Sequence, residues 1–483
     1  MRSIAPAVAL CLFGAAAAAG LPLDIRYNGS PRPLPPDARF APCPGSVAGE
    51  TGVTLAEVFG PQVEAWRLEA GAEVLAADDV GERLSAMYLV RAAAGWDLVM
   101  DPAPDGSRRR LRGLSRLILY GEPCPERELE VWVGWEGVPA LKAEIMAWAA
   151  SAGVKARVVE VPSIKAKLMA VLRGGGRVPD VVMVQSDYLG DLAAIGALQE
   201  LDGLRLPAAI GKGAASFELG GRRLAAPFYA DAQLVFYSTD LVRVPPPEGW
   251  TLDDMERIAR ASGAEAPAAW NVYSAYWFLP FVAGYGLEPF RDGRADLKHP
   301  AWARALDWLK GATDRGFLVP MERDAMMAYF TSGRAAFILS GSYSIPEFKD
   351  IGLRFGVAPY PRVTGGAQLA PLLDFKGFAV TRTARSPVLA RRLVQHLSNP
   401  ATQARFCAPL WKLPADAEAR ALLPAGDPYV AAVRRSYEAG MPVPAYPIYG
   451  EFKNAMWKLL RLYLDGSMTR DEILAAAGTI LGE

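Results

Sequence analysis

Short apolar runs and helical periodicities alternate along most of the chain. Leu129-Glu-Val-Trp-Val133 reads as a strand, residues 140–152 carry apolar positions at helical spacing, and 154–161 read as a second strand. A helical pattern over 164–172 then leads to Val181-Val-Met-Val184, a run suited to a strand buried on both faces. Strand and helix in this alternation predict an α/β fold with a mostly parallel sheet. Proline-rich stretches at 31–36, 123–125 and 245–247 mark the joints. An earlier region shows a similar order. Ala65-Trp66 and Ala70-Gly71 precede a strand near Val74, a helix is expected through Leu84, Met87 and Val90, and Gly95-Trp-Asp-Leu-Val-Met100 follows. Ala147-Trp148, Ala152-Gly153 and Val178-Pro-Asp-Val-Val-Met183 repeat it at an offset of 82 to 83 residues. Residues of about 50 to 120 are then either a degenerate copy of the later unit or an ordinary α/β unit with similar helices.

Composition narrows the classes. Of 483 residues, 51% are hydrophobic and 22% charged, which excludes a disordered or fibrous chain. Lys plus Arg is 52 and Asp plus Glu is 52, a balance that argues against a nucleic-acid or anionic-membrane partner. Two histidines, His299 and His396, leave little for a His-built metal centre, and no metal site is expected. His396 reads as a helix-end residue. No Cys-x-x-Cys, phosphate-loop or Gly-x-Ser-x-Gly pattern occurs.

Residues 1–20 combine Arg2, an apolar stretch from Ile4 to Phe13 and a small-residue zone ending at Gly20. This is the pattern of a cleaved export signal. Lipidation at Cys11 is the weaker alternative, because Leu10 is bulky and the apolar core would be cut short. The mature chain is therefore expected in the periplasm or outside the cell, where disulfides are permitted. Cys43 and Cys124 bracket the first region and either form one or remain two separate thiols. Cys407 is expected unpaired.

From Glu128 onward the chain resembles the extracellular solute-binding proteins of ABC importers, in the carbohydrate branch that includes maltose-binding protein. Four segments carry the resemblance. Leu129-Glu-Val-Trp-Val-Gly-Trp-Glu136 and Val178-Pro-Asp-Val-Val-Met-Val-Gln-Ser-Asp187 come first, with Ile195-Gly-Ala-Leu-Gln-Glu-Leu201. Gly221 to Pro227 then leads through Asp231 to Leu234-Val-Phe-Tyr-Ser-Thr-Asp-Leu241. Ala328-Tyr-Phe-Thr-Ser-Gly-Arg-Ala-Ala-Phe337 runs into Leu339-Ser-Gly-Ser-Tyr343, and Ser398-Asn-Pro-Ala-Thr-Gln403 precedes Lys412-Leu-Pro-Ala415. The resemblance implies a bilobed periplasmic-binding-protein fold over 126–483, with two α/β lobes joined by crossing hinge strands. A small accessory α/β domain over 21–125 would precede it. Crossings are expected near Ala225 to Leu234, Leu372 to Lys376 and Trp411 to Pro414.

The resemblance also implies a ligand cleft. A sugar offers apolar C–H faces to aromatic rings and hydroxyls to carboxylates and amides. Trp135 and Glu136, after the first strand, match a charged pair of the family, with Trp in place of its first member. Asp187 matches an acidic contact, or else caps a helix. A tryptophan of maltose-binding protein is replaced by Val184, which weakens the case for maltodextrin itself. Asp231 matches a hinge carboxylate that either a ligand hydroxyl or a fixed Arg must pair. Tyr276, with Trp277, matches a stacking tyrosine, and Tyr343 a stacking tryptophan. Tyr449 or Phe452 supplies one further aromatic. Each ring has the alternative of ordinary core packing.

The expected function is capture of a carbohydrate, an oligosaccharide, by a monomer that delivers it to an ABC permease through hinge closure, without cofactor or covalent chemistry. Three alternatives stay open: a sensory protein docking a membrane receptor, a binder of a non-sugar solute, and a glycan-cleaving enzyme with Asp187 and Asp231 as its acid pair.

Overall fold

The computed structural model describes residues 23–27, 30–32, 34, 38, 40–42, 51–59, 65–71, 73–76, 83–92, 95–100, 109–121, 128–201, 204, 206, 211–291 and 293–482. The expected export signal, Cys43 and Cys124 lie outside them. The chain divides into two compact units, residues 1–123 and 124–483.

Among the described residues the first unit is mostly β, with one short helix, Leu55–Phe59, whose Leu55, Val58 and Phe59 are buried. Its strands are β1 (Asp24–Tyr27), β2 (Ser30–Pro31), β3 (Ala41–Pro42), β4 (Thr51–Thr54), β5 (Ala65–Ala70), β6 (Glu73–Ala76), β7 (Met87–Ala92), β8 (Gly95–Met100), β9 (Arg109–Leu114) and β10 (Arg116–Gly121). They form two five-stranded sheets, β2-β1-β10-β5-β6 and β3-β4-β7-β8-β9. Among the described strands of this unit, only β1 and β10 pair in parallel. Ile25, Leu68 and Leu117 of one sheet share a core with Val53, Leu89 and Leu98 of the other.

This corrects the α/β expectation for the region. The helix expected through Leu84, Met87 and Val90 is a 3-10 turn, Arg83–Ala86, followed by β7. The reason is burial on both faces. Met87 and Leu89 enter the shared core, while Val90 packs with Val99 and Tyr88 on the other face. Apolar residues three apart on a two-sided strand mimic a helical stripe. Between Glu73 and Met100, where the repeat was expected, the described residues therefore run strand, 3-10 turn, strand, strand and not strand–helix–strand.

The second unit opens with the expected elements: β11 (Glu128–Val133), a helix Val138–Ser151, β12 (Lys155–Glu160), a helix Ile164–Arg173 and β13 (Val181–Gln185). β12, β11 and β13 are parallel neighbours. After the small β14 (Glu218–Leu219) and β15 (Arg222–Arg223) hairpin comes β16 (Ala226–Ser238), buried at all thirteen positions. A second parallel set is made by β17 (Ala266–Trp270), β18 (Leu318–Pro320) and β19 (Ala335–Gly341), with β20 (Phe355–Ala358) nearby. β21 (Leu372–Val380), β22 (Leu413–Pro414) and β23 (Met441–Pro442) complete the strands.

β16 joins the two halves. Residues 226–232 pair with β21, which lies beside β13, and Tyr229 and Ala230 pair with β22. Gln233 to Tyr237 pair with β19, and Val235 to Ser238 also with β20. One strand, β16, thus belongs to both sheet halves and covers the first expected crossing, while β21 and β22 pair with it along residues 226–232. Helices flank each half. That over Leu252–Ala261 starts at a reciprocal cap between Thr251 and Asp254.

Candidate functional site

In α/β folds, ligands collect where parallel strands end, because loops there are free to carry polar groups. The ends of both parallel sets here face one cavity of about 310 Å³. Gln185 and Asp187 follow β13. Asn271, Ser274, Tyr276 and Trp277 follow β17. Arg323 and Met326 follow β18, and Ser340 and Tyr343 stand at the end of β19. Asp374 of β21, Val443, and Tyr449 and Lys453 of the helix Pro447–Leu464 close the wall. Tyr449 and Lys453 are four apart and so share a helical face.

Of the expected residues, the fold brings Asp187, Tyr276, Trp277, Tyr343 and Tyr449 to this cavity. Tyr276 and Trp277 meet edge to face at 4.8 Å. Tyr276 is fixed through its backbone: Gln233 donates to its carbonyl at 2.6 Å and accepts from the Leu372 amide at 2.8 Å. Tyr343 folds back over Gly341, where a Cβ would lie 2.2 Å from its ring. That position has room for no side chain. Asp187 caps no helix. Its Oδ2 accepts from Lys453 at 3.3 Å, and its buried Oδ1 has no hydrogen-bond partner among the described residues.

Four expected residues lie elsewhere. Phe452 is core, edge-on to Phe290 and Trp302 at 5.2 and 5.8 Å. Trp135 packs against Tyr188, with ring centroids 6.2 Å apart, and Lys376 lies 5.7 Å from its ring. It holds a left-handed backbone, φ 64°, which costs a residue with a side chain of order 1–3 kcal/mol. Glu136 and Asp231 do not line the cavity; lysines hold them. Lys412 reaches Glu136 at 2.9 Å and both oxygens of Asp231 at 2.9 and 3.1 Å. Lys376 bridges Asp231 at 3.3 Å and Asp374 at 2.6 Å, while Ser342 donates to Asp231 at 2.9 Å. Two lysines, neither the expected Arg nor a ligand hydroxyl, thus pair Asp231.

The electrostatics follow from depth. Burial raises the Asp231 carboxyl, but Lys412 and Lys376 outweigh it and hold the group below its ordinary range. Burial opposes the charge on Lys376, yet Asp374 and Asp231 raise it above the usual lysine value. The Asp374 carboxyl is pushed up to about 6, by burial first and also by Asp187 and Asp231, against the pull of Lys376. Its Oδ1 has no hydrogen-bond partner among the described residues. Nor do the Tyr449 hydroxyl and the Asn271 side-chain oxygen. Burial, with nearby carboxylates, keeps Tyr276 and Tyr449 protonated. The wall therefore presents unused acceptors beside aromatic faces.

The sequence reading missed Asp374, Lys376 and Lys412. Two charges two apart inside Leu372-Leu-Asp-Phe-Lys-Gly-Phe-Ala-Val380 were a usable signal, since they share one face of a buried strand. Nothing local marks Lys412 as the partner of Asp231.

A model of bacterial extracellular solute-binding proteins matches residues 145–431. A maltodextrin-binding protein of Bacillus subtilis (strain 168) is 24% identical over 299 residues, covering 57% of this chain and 70% of that protein. A galactooligosaccharide-binding protein of the same strain is 25% identical over 297 residues, covering 56% and 69%. The fold is shared with the GacH receptor of Streptomyces glaucescens GLA.O, solved unliganded and with acarbose. The TM-score is 0.65 at 22% identity, over 74% of this chain and 98% of that one. It is also shared with Thermus thermophilus maltotriose-binding protein bound to maltotriose, with TM-score 0.63 at 23% identity over 73% and 98%.

Proposed function

Since the chain belongs to the bacterial extracellular solute-binding proteins, we propose that it captures a short oligosaccharide in this cavity and hands it to an ABC permease. The observation that carries the reading is the pairing of aromatic faces with unused acceptors on walls drawn from both sheet halves. Tyr276, Trp277 and Tyr343 suit the C–H faces of a sugar, while Asp187, Asp374 and Asn271 accept from its hydroxyls. A guest touching both halves favours the state in which they approach, by its differential affinity alone. The relatives named for maltodextrin and galactooligosaccharide binding support the ligand class. The cavity is at the small end of ligand sites, which run from about 300 Å³ upward.

Delivery involves no covalent change to the sugar. Asp187 and Asp231 do not form an acid pair around a shared substrate, because Asp231 is locked by two lysines away from the cavity wall. The test is a thermal-shift and calorimetric screen of the full chain against mono- and oligosaccharides, with polyols, amino acids and phosphate esters alongside. Saturating sugar should raise the melting temperature in step with ligand concentration over Kd. A response to non-sugar solutes alone would overturn the reading.

A further inference from the structure

Resting on the carbohydrate reading above, we infer that the ligand carries a protonated amine, which Asp187 and Asp374 receive on the cavity floor. The two carboxylates come from separate elements and have parallel partnerships. Asp187 Oδ2 accepts from Lys453 at 3.3 Å, and Asp374 Oδ2 from Lys376 at 2.6 Å. Each leaves a buried Oδ1 with no hydrogen-bond partner among the described residues, and both residues line the cavity. A third, independent group points the same way: Tyr449, 1% exposed, lines the cavity with a buried hydroxyl that also has no partner among the described residues.

The charges are sorted by depth. The side chains of Asp187 and Asp374 are 9% and 12% exposed, whereas the cations on the wall, Lys453 and Arg323, are 39% and 54% exposed. Arg323 reaches Asp324 and Glu347, each at 3.7 Å. Of the charged groups that line the cavity, two of each sign, the carboxylates lie deeper than the cations, and buried Lys376 bonds Asp374. A neutral hydroxyl brings a single donor to this set of acceptors. An ammonium brings three donors, matching the free oxygens of Asp187, Asp374 and Tyr449, and charge-assists each bond to a carboxylate. The faces of Tyr276, Trp277 and Tyr343 add a favourable cation–π field. A bound cation also relieves the burial and like-charge repulsion that push Asp374 up to about 6.

The experiment is calorimetry of the full chain with matched saccharides. One set is the β-1,4-linked glucosamine trimer, its N-acetylated counterpart and cellotriose. The other is kanamycin beside maltotriose, for α linkages. The amine-bearing member of at least one set should bind about tenfold tighter than its uncharged counterparts. Asp187→Asn and Asp374→Asn should each bring that ratio close to one, with circular dichroism checking the fold. Asp187→Asn alone suffices if Asp374→Asn fails to fold. Neutral sugars binding as well as or better than their amine counterparts would overturn the amine while leaving the carbohydrate reading intact. No saccharide binding in either set would overturn both.

Discussion

Glu136 and Lys412 form an ion pair at 2.9 Å, and each follows a tryptophan with a left-handed backbone, Trp135 and Trp411. The two ends of the pair differ in depth. Lys412 is fully buried and also bonded to Asp231, whereas the Glu136 side chain is 40% exposed. Removing either partner should therefore have unequal effects. Lys412→Met strips a buried carboxylate of one counter-charge and should cost about 3–5 kcal/mol. Glu136→Gln should cost about 0–1 kcal/mol, as exposed pairs do. Urea midpoints at unchanged m-value measure both. Equal losses would mean that Lys376 alone suffices for Asp231.

Gly341 and Tyr343 are coupled by space. Gly341→Ala places a methyl group where the Tyr343 ring now lies and must displace it. Overpacking of this kind costs about 1–3 kcal/mol in stability. Sugar affinity should fall at least as much as in Tyr343→Ala, since both remove the same stacking surface. Calorimetry of the two variants with one saccharide tests this; an unaltered affinity in Gly341→Ala would show that the ring is not a ligand contact.

Asp374 makes stability depend on pH in an unusual direction for a carboxylate. Its folded value, about 6, lies above the unfolded value of about 3.9. Between these values the folded chain holds the proton more tightly than the unfolded chain. Stability from this group is therefore full at low pH and is lost as pH rises from about 4 to about 6. The loss is on the order of 1–3 kcal/mol. Asp374→Asn lacks this titration, so the stability difference, parent minus variant, should decline across that window and be flat above it. Parallel urea titrations at pH 4, 5, 6 and 7 read it directly.

Tyr449 carries a buried hydroxyl with no partner among the described residues, which contributes nothing to the unliganded fold. Tyr449→Phe should leave the melting temperature unchanged or slightly raised, because an unsatisfied polar group is removed. Saccharide binding should weaken by about 0.5–1.5 kcal/mol, the usual worth of one hydrogen bond. A lowered melting temperature with unchanged affinity would contradict the assignment.

What could be read from the sequence depended on how each element is buried. Val181–Gln185 is an apolar run up to its last residue and Glu128–Val133 alternates before an apolar end; the two are parallel neighbours, and their boundaries could be read within a residue or two. The aromatics Tyr276, in the first turn of the helix Ala275–Gly284, and Tyr343 stood out because a motif placed each beside a strand end. Met87–Ala92 was misread for the opposite reason: apolar residues on both faces erased the period of two. Asp231 could be seen as a carboxylate in need of a partner, but Lys412 lies 181 residues away. Such pairings belong to the tertiary structure alone. Phe452 and Tyr449 differ by three helical positions and both pack edge-on to Phe290; only the tertiary structure turns Phe452 to Trp302 and Tyr449 to the cavity.

The thirteen buried residues of Ala226–Ser238 have a mechanical consequence. A single backbone woven into both ladders transmits no sliding, since translation would break pairings on both sides at once. What it permits is torsion and flexure about its own middle, where its partners change near Ala232 and Gln233. The Asp231 carboxylate and the Gln233 amide flank that fulcrum, so their buried polar contacts lie where leverage is smallest and displacement least.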